Sequence, residues 1–136
     1  MMKEFMLAEL KQKFSKESFH IGNDNRTIAI FPAKHSQVGD VIVYDDEDEA
    51  TIFIKEITHF HISPDDDSLS EENKNKIITE KVIHFLTELF TDRVLLWRAK
   101  SHRSDGCHMI GDNILTPKQY TNEECLYFLW SGQIKI

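Results

Sequence analysis

The sequence predicts an α+β domain: a mostly antiparallel sheet of about five or six strands, with one long central helix and a short N-terminal helix packed on one face. Three observations predict it. Short β-rich runs alternate with turn signals at residues 22–25, 39–40 and 105–106. One segment, residues 69–91, carries an apolar stripe at helical spacing. The chain has 136 residues, 40% of them apolar, which makes one domain over 1–136 with a core that needs no disulfide or metal.

The elements follow in order. Met6, Leu10 and Phe14 recur every four residues among charged neighbours and predict a short amphipathic N-terminal helix. The run TIAIF at 27–31, stopped by Pro32, predicts the first strand, and DVIVY at 40–44 the second. Residues 50–62 contain a third and longer strand. The five acids between these last two runs mark the tip of an antiparallel hairpin. Ser68 and Ser70 are N-cap candidates for the central helix, and Ser68 with Glu71 fits a capping box. Ile78, Val82, Phe85, Leu86 and Leu89 form its buried stripe. VLLWRA at 94–99 predicts a strand, with Asp105-Gly106 turning it into a return strand at 107–110. Gly111, Asp112 and Asn113 mark a further break. Residues 125–130 are read as a strand from the aromatic density of LYFLW, although Thr121 to Glu124 resemble a helix start.

The stretches FPAKHSQVGDVIVYDD (31–46), DRVLLWRAKSHRSDG (92–106) and LWSG (129–132) resemble parts of small uncharacterised bacterial proteins. None of them is a catalytic signature. The resemblance implies no activity and carries over no functional residue.

Charge gives the sharper signal. The net charge is −7, which argues against general nucleic-acid binding. Between Asp40 and Glu72, twelve acids face the single base Lys55, a local charge of −11. Asp45, Asp46, Glu47, Asp48 and Glu49, with Asp65, Asp66 and Asp67, are the candidate residues for binding a basic protein partner. The competing reading is a solvated face that keeps the hairpin soluble. Asp45, Glu47, Glu49, Thr51, Phe53 and Glu56 fall at the ligand positions of an EF-hand, but Ala50 stands where its glycine belongs. Arg93, Arg98, Lys100, His102 and Arg103 form a compact basic stretch, read as countercharge or an exposed hairpin.

His59 and His61 are the candidate metal ligands, because residues two apart on a strand face the same way. Ser63 and Pro64 stand where the H-x-H-x-D-H pattern of metallo-β-lactamase-like hydrolases has its Asp and His. Cys107 and Cys125 lack C-x-x-C spacing, and Cys125 reads as core. Ser101, His102, Ser104 and Asp105 are close in sequence, which does not make a triad. There is no G-x-S-x-G, P-loop or Rossmann glycine pattern.

These features predict a cytoplasmic, non-enzymatic accessory protein, immunity- or antitoxin-like, that binds a basic partner and needs no cofactor. A metal-dependent enzyme centred on His59 and His61 is the alternative. Self-association through Trp97 and Trp130 is a third reading. No segment reaches the length of a membrane helix.

Overall fold

Alternation decides how the strands lie. In β4 (Ala50–Ile54) the even positions Ala50, Ile52 and Ile54 are fully buried; of the odd positions Thr51 is buried and Phe53 half-buried. The computed structural model describes residues 2–110 and 123–134. Its elements are α1 (Met2–Lys13), β1 (His20–Ile21), β2 (Thr27–Phe31), β3 (Val41–Asp45), β4, β5 (Thr58–Ile62), α2 (Glu71–Phe90), β6 (Val94–Ala99), β7 (Asp105–Met109), β8 (Cys125–Leu129) and β9 (Gly132–Ile134). The class is α+β. The strands form two antiparallel sheets, one of five in the order β1-β2-β3-β4-β5 and one of four in the order β7-β6-β8-β9.

Both helices cover the same face of the five-stranded sheet. Phe14, just beyond α1, meets the Phe31 ring of β2 at 5.8 Å, and Phe85 of α2 meets Phe60 of β5 at 4.7 Å. Phe60 stands opposite Ile52 in the register, so Ile52, Phe60 and Phe85 share one side of the sheet. The stripe expected on α2 is buried as read, at Ile78, Val82, Phe85, Leu86 and Leu89. Each such side chain contributes roughly 1.5–3 kcal/mol on burial. An aromatic cluster of Phe14, Phe31, Phe90 and Trp130 ties the helices to the second sheet. Asp92, just past α2, accepts bonds from the backbone N–H and hydroxyl of Ser131 at 3.1 and 2.7 Å and fixes the same junction.

The run 50–62 is two strands rather than one long strand. Lys55, Glu56 and Ile57 make the turn, with Ile57 N–H bonded to the Ile54 carbonyl at 2.8 Å. Parity hides this turn in the sequence. Ile52, Ile54, Phe60 and Ile62 are all even-numbered, so one continuous strand and a three-residue hairpin bury the same residues. Only the buried Ile57 breaks the phase. Asp105 and Gly106 lie within β7 instead of forming a turn. The chain reverses over residues 100–104, where His102 has φ 64°. Gly106 stands opposite Trp97, and a Cβ there would come within 2.8 Å of the indole. The glycine is needed for ring space. Helix α2 is capped by Ser70, whose hydroxyl accepts from Asn73 N–H at 3.2 Å. Ser68 instead bonds Asp66, so the capping box expected at Ser68 and Glu71 does not form. The segment 125–130 is a strand over Cys125–Leu129. The break expected at Gly111, Asp112 and Asn113, and the helix-start signal at Thr121 and Asn122, lie outside the described residues.

Candidate functional site

The hairpin at 55–57 places the two histidines beside the acidic tip. In the register, Thr51 faces His61 and Phe53 faces His59 across β4 and β5, while Tyr44 of β3 faces Thr51. All five side chains stand on the face opposite the helices. A second row runs His20, Ile30, Ile42, Phe53, His59 across the whole sheet. Ile30, Ile42, Tyr44 and Phe53 are half-buried there, and the histidines are exposed.

A hydrogen-bonded chain crosses this face. Arg26 Nε donates to Asp46 Oδ1 at 2.9 Å, and its guanidinium lies 4.5 Å above the Tyr44 ring. The buried Thr51 hydroxyl donates to the other oxygen of Asp46. Thr51 has one proton, so toward His61 Nδ1, 2.8 Å away, its oxygen accepts. This assigns the Nδ1–H tautomer to neutral His61, and the same N–H is 3.3 Å from Glu49. The Arg26 bond, followed by that of Thr51, holds the Asp46 carboxyl below the usual carboxylate range. His59 stacks on Phe53 at 4.8 Å with rings 14° from parallel, and Phe53 meets Tyr44 edge-on at 5.5 Å.

The two acidic segments leave the sheet at one end. Asp45 pairs with Ala50, and Ala50 pairs with Ile62, so the 45–49 tip and the chain following Ile62 emerge side by side. Their carboxylates are used differently. Asp45 accepts from Glu47 N–H at 2.9 Å and shapes the tip. Asp65 pairs with Lys81, which, with Ser63, lowers its pKa; Asp66 is lowered by Ser68. Glu47, Asp48 and Asp67 make no ion pair among the described residues. Glu47 holds φ 69°, a left-handed conformation that glycine or asparagine adopts more readily.

The other candidates separate. His59 and His61 lie with ring centroids 6.0 Å apart, and no group of three or more His, Cys, Asp or Glu is arranged to hold a metal among the described residues. The basic stretch is engaged within the fold: Arg93 pairs with Glu88 at 2.7 Å, Lys100 with Glu124 at 2.7 Å, and Arg98 lies over Phe128 and 3.4 Å from His102. Trp97 and Trp130 are buried. Both cysteines are free thiols. Cys107 packs against the core, where burial and then Asp105 push its pKa up to about 11. Cys125, expected in the core, is only partly buried. Ser101 bonds Glu123 and Asp105 accepts from Thr58, so these residues are not assembled around His102 as a triad. A groove of about 680 Å³ between α1 and α2, with Phe5, Thr79 and Ile83 along it, contains none of the candidate residues.

Sequence reading missed Arg26 and Tyr44, and gave Thr51 and Phe53 only as EF-hand positions. Tyr44, Thr51 and Phe53 lie on one face by the register of β3, β4 and β5. Arg26 carried no signal, because its role depends on a pairing between β2 and β3. No helix among the described residues is long and apolar enough to cross a membrane. Comparison with protein-family models, curated proteins and solved structures finds no match to this chain.

Proposed function

We propose that this chain is a non-enzymatic accessory protein that binds a basic protein partner through the acidic end of its five-stranded sheet, as an immunity protein or antitoxin does. One observation carries the reading. The register brings the 45–49 tip and the segment after Ile62 to the same end, so two acidic runs separated in sequence leave the sheet side by side. Their fields add there, and a focused negative field accelerates encounter with a basic partner. Asp45, Asp46, Asp65 and Asp66 hold the local shape, and Glu47, Asp48 and Asp67 supply charge to the contact. The protein acts in the cytoplasm, where its two thiols remain reduced.

Affinity capture from the native host at rising salt tests the proposal. A basic protein is expected to co-purify at low salt and to leave as salt screens the contact. Neutralising the 45–49 and 65–67 clusters should abolish its capture. Undiminished capture by the neutralised protein contradicts the proposal.

A further inference from the structure

We infer that the outward face beside the acidic end recognises arginine, rather than positive charge in general, by seating a partner's guanidinium on the Phe53–His59 stack. The inference rests on the acidic-surface reading above and specifies the partner: a basic protein segment that presents arginine.

Neither helix reaches this face, since Phe31 and Phe60, which meet the helix-side rings Phe14 and Phe85, point to the opposite side. The face is nevertheless rich in rings. Tyr44, Phe53 and His59 form a continuous series, edge-on at 5.5 Å and then stacked at 4.8 Å. The chain already makes the proposed contact once. Arg26 lays its guanidinium 4.5 Å above Tyr44 and pairs with Asp46 at 2.9 Å, combining ring and carboxylate. The next ring along the face, Phe53, has no lysine or arginine stacked on it among the described residues. Glu49 reaches the same two-strand ladder through His61, at 3.3 Å.

Charge complementarity selects the occupant. The segment from Asp40 to Glu72, which supplies Tyr44, Phe53 and His59, contains twelve acids and one base. A second copy of this chain would bring the same excess of negative charge to the contact. A planar, weakly hydrated guanidinium stacks on a ring face while still pairing with a carboxylate; an ammonium group is a more strongly hydrated point charge.

The test measures dissociation constants for an oligoarginine and an oligolysine peptide of equal length, with the full chain, by calorimetry. The wild-type protein is expected to bind oligoarginine about threefold tighter than oligolysine at equal salt. F53L should bind both equally, and F53Y should restore the preference. The triple variant E47Q, D48N, E49Q should weaken both peptides together. Equal affinities in wild type, with both peptides still weakened by the triple variant, overturn the arginine inference and leave the acidic-surface reading standing. Failure of wild type to bind either peptide, or binding unaffected by the triple variant, overturns the acidic-surface reading and the inference with it.

Discussion

The two faces of the five-stranded sheet come from the same strands, yet they are held by different physics. On the helix side, Ile52 is fully buried and Phe60 packs against Phe85 of α2. On the other side, the buried Thr51, the half-buried Phe53 and the exposed His59 and His61 form ring contacts and polar bonds. The inner face excludes water, so volume and close packing decide which residues fit there. The outer face is only partly closed, with Thr51 buried and Ile30, Ile42, Tyr44 and Phe53 half-buried. Its aromatic and acidic side chains are the ones to which the proposed binding role is assigned.

Substitutions at adjacent positions can break this comparison. Ile52→Ala opens a cavity beside Phe60, which packs on Phe85 of α2, and should lower stability by about 2–5 kcal/mol in urea denaturation. A loss below that of any outer-face change would mean that the two faces are not distinct. Asp46→Asn removes the charge that Arg26 and Thr51 engage. Arg26 is 59% exposed, so screening limits the effect to about 1 kcal/mol. The folded carboxyl titrates below its unfolded value, so its contribution is complete above the ordinary carboxylate range and is lost as pH falls through the folded pKa. The stability gap between wild type and Asp46→Asn, measured at pH 6, should accordingly narrow as the pH is lowered past ~4.

Phe53→Leu keeps an apolar side chain but loses the stack on His59 and the edge contact with Tyr44. It should shift stability by about 0.5–1 kcal/mol, well short of Ile52→Ala. A thermal melt matching that of Ile52→Ala would show that the outer ring is structural. Glu47→Gly should have the smallest effect and the opposite sign. Relief of the left-handed strain at φ 69° should raise stability by about 0.5 kcal/mol, while partner capture weakens. Lower stability in Glu47→Gly would show that the side chain supports the tip.

The inner face was the legible half in the sequence. Helical spacing marked the α2 stripe, because burial imposes its period directly on the chain. The division into two sheets was not legible. It depends on which strands pair, and β1 and β9, of two and three residues, are too short to carry a period. The turn at Lys55, Glu56 and Ile57 was masked by equal parity on either side. Of the candidate site, the acids and histidines were visible as residue types. Their gathering at one sheet end was not, since it follows from the Asp45–Ala50–Ile62 row.

Nuclear magnetic resonance mapping of an oligoarginine titration tests the central claim most directly. Backbone shifts confined to the 44–49 and 51–61 segments and to residues 65–67 are the predicted result. Shifts centred instead on α1 and α2, or spread evenly over every exposed acid of the chain, would contradict it.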